Sequence, residues 1–265
     1  MIKEIKVKTA LSPSLLPGLD YALNPYRGCA HDCVYCYAPS VLHWYKGKWG
    51  EDVEVKVNLP RILSKEVRTK KKGIVGLGTV TDPYQPAEGK YEITRRCLEL
   101  LLMHGFPVCI QTKSSLVRRD IDLLRRFPWI EVGITLTTLD DSVRQTMEPG
   151  SSGVEERLRV LQELRENGIN TWVFLGPVMP YITDIEALID AIADVKPGYV
   201  LVDRLRLKEG VRERVSEFVR GFDPGLVREY ESIFDGDEDY YPRILEMVIK
   251  KCEEKGLRCE MNRLW

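Results

Sequence analysis

The sequence predicts an α/β protein: a partial (β/α)6 TIM-like barrel of parallel strands, with a mainly helical C-terminal cap. Short apolar runs alternate with amphipathic helical patterns roughly every 30 residues, the spacing of parallel βαβ units. About six such units can be counted, fewer than the eight of a closed barrel. We therefore expect a barrel that is open on one side.

The predicted strands are short and apolar, with turn residues or polar residues at their ends. A strand pattern at residues 52–57 alternates like an edge strand, and a last short strand is predicted at residues 257–261. The strands assigned to the barrel cover residues 19–27, 74–77, 107–111, 130–136, 169–175 and 199–202.

Helices between these strands are predicted from apolar periodicity and from start and stop signals. Asn58 and Asp184 are expected helix caps, and Gly105 and Gly168 are expected helix ends. The predicted helices cover residues 40–45, 58–72, 91–104, 116–127, 154–166 and 185–194. We expect residues 1–205 to form the barrel. Residues 206–265, with Tyr240, Tyr241 and Trp265, are expected to form a helical cap that faces the substrate.

Composition narrows the class of protein. The formal net charge of -1 is unlike that of a protein devoted to a phosphate backbone, so nucleic acid would need a local basic patch. The seven cysteines are odd in number and form no regular disulfide framework, which favours a reducing cytoplasm. No apolar run approaches membrane-spanning length, so no membrane contact is expected.

Three cysteines close together provide the strongest functional signal. Cys29, Cys33 and Cys36 have the spacing C-x3-C-x2-C, and the next cysteine along the chain is Cys97. Closely spaced thiolates bind iron–sulfur clusters or zinc. On a four-iron cluster, three thiolates leave one iron open. The loop follows the first predicted barrel strand, and function gathers at the C-terminal ends of barrel strands.

Two other interpretations of the cysteine loop stay open. The loop could hold structural zinc, with His31 or His43 as a fourth ligand, in a protein without catalytic activity. The cysteines could also be ordinary core residues, although Arg27, Gly28 and Asp32 make this segment too polar for a core.

The pattern Cys29-x3-Cys33-x-Tyr35-Cys36 resembles the signature of radical S-adenosylmethionine (SAM) enzymes. The resemblance implies a [4Fe–4S] cluster on the three cysteines, with SAM chelating the fourth iron. One electron, from a donor such as ferredoxin or flavodoxin, would cleave a sulfonium C–S bond and give a 5′-deoxyadenosyl radical. The expected protein is a lyase or transferase.

A narrower resemblance is to the spore photoproduct lyase-like branch, whose founding members repair a thymine lesion in DNA. It is carried by residues 24–29, 35–38, 81–88 and 112–114. Thr79 stands where the repair enzymes carry a hydrogen-donating thiol, and a threonine O–H bond is too strong for that role. We therefore expect a small molecule or an amino-acid moiety as substrate, with a nucleic-acid base as the alternative.

The same resemblance points to SAM contacts on the cysteine loop and after the second strand. Tyr35 would lie near the cluster or SAM, and Tyr37 would contact SAM, although both could be packed aromatic residues. A strand-end hydroxyl and carboxylate can hold an ammonium group, so Thr81 and Asp82 are candidates for the amino group of SAM. A simple Asp-Pro turn is the alternative.

Further candidates end the next three strands. Lys113 would pair with the SAM carboxylate, unless it is only a solvated strand-end lysine. Thr135 and Thr137 share one strand face and suit the ribose. Met179 belongs to a Gly- and Pro-containing segment that is expected beside the adenine.

Overall fold

The protein is described by a computed structural model for residues 1–208, 210–236 and 240–261. The strands are β1 (Ile2–Ile5), β2 (Ser12–Pro13), β3 (Tyr21–Leu23), β4 (Tyr26–Arg27), β5 (Val53–Lys56), β6 (Val75–Leu77), β7 (Val108–Thr112), β8 (Ile130–Thr135), β9 (Asn170–Val178), β10 (Tyr199–Arg204) and β11 (Cys259–Met261). The helices are α1 (Ala38–Val41), α2 (Leu59–Glu66), α3 (Glu88–Tyr91), α4 (Ile93–Met103), α5 (Ile121–Leu124), α6 (Asp141–Met147), α7 (Val154–Glu166), α8 (Ile185–Val195), α9 (Val211–Phe222), α10 (Val227–Phe234) and α11 (Tyr240–Glu254). The predicted cap residue Trp265 lies outside the described residues.

One eight-stranded sheet organises the molecule, in the order β2-β3-β6-β7-β8-β9-β10-β11. Every neighbouring pair from β3 to β11 is parallel, and β2 pairs with β3 in the antiparallel sense. The predicted α/β fold with parallel strands is confirmed. The six predicted barrel strands are present, and β11 adds a seventh parallel strand beside β10.

The first predicted barrel strand is divided in two. Only β3 joins the main sheet, whereas β4 pairs with β5 in a separate sheet of order β1-β5-β4. The division falls at Asn24 and Pro25, and proline cannot donate a ladder hydrogen bond. As a result, the chain leaves the main sheet just before the cysteine loop begins.

Several helical segments differ from the prediction, and α2 ends at Glu66 where the helix was predicted to reach residue 72. Residues 115–120 form a 3-10 helix before the short α5, and the buried Asp120 at their junction accepts hydrogen bonds from Arg95, Arg119 and Tyr84. Glu92 has a left-handed φ of 50°, which separates α3 from α4. The helix α6 was not predicted because its seven residues are too short to show a helical period.

Strand alternation decides which side chains reach the site. On β7, Val108, Ile110 and Thr112 are buried on the face covered by helices, whereas Cys109 and Gln111 lie on the inner face of the barrel. Lys113, Thr135 and Thr137 continue the inner-face positions of β7 and β8. Among the described residues, no helix is long and apolar enough to cross a membrane.

Candidate active site

The cysteine loop, residues 29–36, lies between β4 and α1 at the C-terminal side of the sheet. Cys29 and Cys33 are buried and Cys36 is half-buried, and all three thiols are free. The amide of Cys36 donates to the Cys33 carbonyl at 3.0 Å, and the amide of Val34 donates to the Met147 carbonyl at 3.0 Å. The loop therefore has a defined backbone, anchored on the last residue of α6.

The chemistry of these thiols fits an iron–sulfur cluster. Burial, and then the negative charge of Asp82, raise the pKa of Cys29 to about 12. Burial also raises the pKa values of Cys33 and Cys36, and the negative charge of Glu148 adds to the effect at Cys33, as that of Asp32 does at Cys36. Three such groups become thiolates when a strongly cationic partner compensates their charge. A four-iron cluster supplies that charge, with one iron for each thiolate.

A single-ion zinc site has less support. Among residues 1–208, 210–236 and 240–261, no group of three or more His, Cys, Asp or Glu side chains is arranged to hold one metal ion. His31 Nδ1 lies 3.3 Å from Asp82 Oδ2, and His43 is exposed to solvent. Thiolates on separate corners of a cluster need not converge on one point, so this finding leaves the cluster interpretation intact.

Thr81 and its neighbour Gln85 fix the start of the cysteine loop. The Thr81 hydroxyl donates to the Gly28 carbonyl at 2.7 Å and accepts from Gln85 Nε2 at 2.9 Å. The fully buried Gln85 also accepts from the Ala30 amide at 3.0 Å. Gln85 was missed at the sequence level, although it lies in the 81–88 segment that carried the narrower resemblance.

Asp82 joins three neighbouring segments. Oδ1 accepts from the Thr112 hydroxyl at 2.7 Å and from the Tyr84 amide at 2.8 Å, and Oδ2 accepts from the Lys113 amide at 2.8 Å. Burial alone would raise the pKa of Asp82, but His31 and these donors outweigh it and lower the pKa to about 2. The carboxylate is therefore ionised and already has several protein donors.

Lys113 brings an ammonium group to the cysteine loop. Its Nζ lies 5.5 Å from the centre of the Tyr35 ring. Burial opposes its charge, but the negative charges of Cys33 and Glu148 outweigh burial and raise the pKa of Lys113. Among the residues that the structure describes, no acceptor takes a hydrogen bond from Nζ and no carboxylate pairs with it. The cation is thus available to an anionic ligand.

A buried ion pair connects the cysteine loop to the end of β8. Tyr35 donates its hydroxyl to Glu148 Oε1, which also accepts from the Thr137 hydroxyl at 3.0 Å. Arg157 Nη2 lies 2.6 Å from Glu148 Oε2, and its Nη1 donates to the Thr135 carbonyl at 3.1 Å. This network brings together three of the predicted site residues: Tyr35, Thr135 and Thr137.

The other predicted residues occupy two different environments. Tyr37, which is 36% exposed, donates its hydroxyl to the Thr79 carbonyl at 2.6 Å. The Thr79 hydroxyl exchanges hydrogen bonds with the Asn24 side chain, at 2.8 and 3.1 Å. Met179 is fully buried, and its amide donates to the Thr183 hydroxyl at 2.9 Å. Tyr37 is thus accessible, whereas Met179 belongs to the packed core.

Comparison with known proteins identifies the family of this site. The family model described as the radical SAM superfamily matches residues 23–192, which is more than half of the chain. The chain belongs to the radical SAM superfamily. By family, this membership supports SAM-dependent radical chemistry and a [4Fe–4S] cluster.

Two relatives of this radical SAM protein are informative. An uncharacterized protein of Methanocaldococcus jannaschii is 34% identical over 260 residues, which cover 97% of this chain and 95% of that protein. The radical SAM Nalpha-GlyT isomerase of Pseudomonas phage M6 is 31% identical over 185 residues, which cover 68% of this chain and 38% of the isomerase. The similarity to the Methanocaldococcus jannaschii protein extends through the C-terminal helices.

The fold is similar to that of solved spore photoproduct lyase structures. The lyase complexed with dinucleoside spore photoproduct has a TM-score of 0.72 and 14% sequence identity, covering 98% of this chain and 81% of that chain. A lyase variant with bound AdoMet and dinucleoside spore photoproduct has a TM-score of 0.71 and 13% sequence identity. This likeness confirms the spore photoproduct lyase-like resemblance at the level of the fold.

Proposed function

We propose that this protein binds a [4Fe–4S] cluster through Cys29, Cys33 and Cys36 and cleaves SAM reductively to start a radical reaction. The observation that carries the proposal is the Lys113 ammonium. It lies over Tyr35 of the cysteine loop, and within the described parts of the chain it has no acidic partner. A half-buried cation in this position matches the carboxylate of an amino acid that is bound beside the loop.

The protein residues hold and orient SAM in this proposal. When bound, the cluster supplies one electron that cleaves a sulfonium C–S bond of SAM to give a 5′-deoxyadenosyl radical. Lys113 binds the carboxylate of SAM. Asp82 and Thr81 hold the neighbouring backbone in place, and Asp82 also contributes negative charge that favours the ammonium group of SAM.

The remaining predicted contacts surround the nucleoside of SAM. The inner-face residues Thr135 and Thr137 are proposed to lie beside the ribose. Met179 would then shape the adenine end from within the core, and the exposed Tyr37 would cover SAM from the cysteine loop. A small external electron carrier, such as ferredoxin or flavodoxin, would reduce the cluster in the cytoplasm, where free thiols persist.

Anaerobic product analysis tests the proposal. The protein is reconstituted with iron and sulfide, reduced with dithionite and incubated with SAM. We expect 5′-deoxyadenosine from the wild type and none from Cys33→Ala treated in the same way. Zinc without sulfide, or no SAM cleavage, would refute the proposal. Methylthioadenosine in place of 5′-deoxyadenosine would instead show cleavage of a different C–S bond and a transferase-type reaction.

Two substrate classes follow from different observations. Thr79 bears a hydroxyl that is bonded to Asn24, where the repair enzymes carry a thiol. This favours a small molecule or an amino-acid moiety over thymine-lesion repair. The lyase-like motifs at residues 81–88 and 112–114 favour the second candidate, repair or modification of a nucleic-acid base. Binding of fluorescent mixed-sequence DNA and RNA at low and high salt separates the two, because phosphate contacts weaken steeply with salt.

A further inference from the structure

The helix α9 carries one cation towards the cysteine loop. Val211, Val215 and Val219 form its buried face, at the spacing of one helical stripe. Arg214 lies three residues after Val211 on the same side and is half-buried, whereas Arg212 is exposed. The sequence thus places Arg214 on the side of α9 that packs against the protein.

The Arg214 guanidinium binds the cysteine loop through two carbonyl groups. Nε donates to the Val34 carbonyl at 3.2 Å, and Nη2 donates to the Cys36 carbonyl. Both acceptors belong to the half of the loop that holds Cys33 and Cys36. The contact therefore joins the loop to a helix that lies beyond residues 23–192, the part matched by the family model.

We propose that Arg214 is a positioning residue, which fixes the second half of the cysteine loop and places a permanent positive charge beside the cluster. The electrostatic role rests on the proposed function, because it needs a bound cluster. The role of Arg214 in fixing the loop does not. Arginine stays charged at every relevant pH, and its planar fork can bind two carbonyl groups at once. A fixed positive charge stabilises the more negative, reduced state of a cluster, so it raises the reduction potential.

Hydrogen exchange in the apoprotein tests the positioning role without any cluster. The variants are Arg214→Gln, which removes the charge and the fork, and Arg214→Lys, which keeps the charge. Arg220→Gln is the matched control, because Arg220 is an exposed residue of the same helix. The amides of Val34 and Cys36 are hydrogen-bonded and report on the loop. We expect faster exchange at these amides in both Arg214 variants and wild-type exchange in the control.

The reconstituted protein tests the electrostatic role. In redox titrations followed by EPR, Arg214→Gln should lower the midpoint potential of the cluster, whereas Arg214→Lys should stay nearer the wild type. Both variants should release iron to a chelator faster than Arg220→Gln does. The proposal would be overturned if the Arg214 variants matched the control in amide exchange, midpoint potential and iron release. A wild type that forms no cluster would refute the proposed function, while the exchange data would still decide whether Arg214 holds the loop.

Discussion

At the residue scale, Lys113 is the residue that favours the proposed SAM site over an ordinary cysteine loop. Two buried thiols and one half-buried thiol are compatible with several metals, but a half-buried ammonium over the loop favours an anionic organic ligand. Its charge is maintained by the negative groups around it, although burial opposes it. The central role of this residue leads to a direct test.

Lys113→Met should weaken SAM binding. A lost hydrogen bond to a charged group costs about 1.5–3 kcal/mol, which is roughly a tenfold to hundredfold increase in Kd. Apoprotein stability should not fall, because methionine fills a similar volume without a buried charge. Lys90→Met, on the exposed side of α3, is the control for calorimetric titration with SAM. Equal affinity in the two variants would remove Lys113 from the SAM site.

Glu148 makes the stability of the protein depend on pH. Burial alone would raise its pKa, but Arg157 and Lys113 outweigh burial and lower the pKa to about 2, below the usual value of about 4.3. A carboxyl whose pKa is lower in the folded state stabilises the protein above pH ~4.3 and loses this effect as the pH falls towards ~2.

Glu148→Gln is therefore expected to reduce the free energy of unfolding at pH 7 by about 3 kcal/mol, since Arg157 loses its buried partner. The difference from the wild type should shrink as the pH falls from about 5 towards 2, because the wild-type carboxyl is protonated first in the unfolded state and only near pH 2 in the folded state. Urea unfolding of the apoprotein at several pH values measures this difference in the free energy of unfolding. A difference that stays constant across this range would contradict the assigned ion pair.

The sequence predicts the proposed cluster ligands more readily than the residues that support them. Cys29, Cys33 and Cys36 are neighbours in the chain, so their spacing alone suggested a cluster. By contrast, Tyr35 and its partner Glu148 are 113 positions apart, and only the folded sheet brings them together. The local sequence around either residue does not predict that the two side chains are in contact.

At the element scale, the end of α6 and the segment after it serve as a platform for the cysteine loop. The Gly150 amide donates to the His31 carbonyl at 3.1 Å, and the Met147 carbonyl accepts from the Val34 amide. A Cβ atom added at Gly150 would lie 1.9 Å from the Ala30 carbonyl oxygen. Glycine is therefore needed here for close approach of two backbones.

Gly150→Ala should displace the cysteine loop and destabilise the protein by about 1–3 kcal/mol, as overpacking usually does. The reconstituted variant should also retain less iron per chain than the wild type. Gly153→Ala is the matched control, because its added Cβ would meet only Asp141 Oδ1, at 3.5 Å. If both variants melt and retain iron alike, the segment does not support the loop.

Periodicity located the parallel strands but not the breaks within elements. The chain from 19 to 27 looks like one strand, yet β3 and β4 join different sheets. Similarly, the pattern of residues 116–127 suits a single helix, but residues 115–120 form a 3-10 helix where Asp120 is bonded to the distant Arg95 and Tyr84. Such breaks depend on tertiary contacts, which outweigh local propensity.

At the scale of the whole molecule, the C-terminal segment completes the sheet and reaches the site. The strand β11 pairs with β10, and α9 binds the cysteine loop through Arg214. Lys251 and Lys255 of the same segment pair with Asp190 of α8. The cap that the sequence suggested for substrate contact therefore also has structural contacts with the barrel.

A chain truncated after residue 205 should consequently melt at a lower temperature than the full chain. The truncation leaves the edge of β10 unpaired and uncovers Val200 and Val202, which are fully buried in the intact protein. A loss of about 3 kcal/mol in the free energy of unfolding would lower the melting temperature by roughly 6–12 °C for a protein of this size. Circular dichroism measures the transition, and an unchanged melting temperature would show that the barrel folds independently.

EPR of the reduced cluster, recorded with and without SAM, is the sharpest test of whether this loop carries a cluster that binds SAM. We expect about four irons and four sulfides per chain, and a spectrum that changes on addition of SAM. In Lys113→Met the same change should require a higher SAM concentration. A cluster whose spectrum is indifferent to SAM, or zinc bound without sulfide, would contradict the claim that this loop and Lys113 form a SAM site.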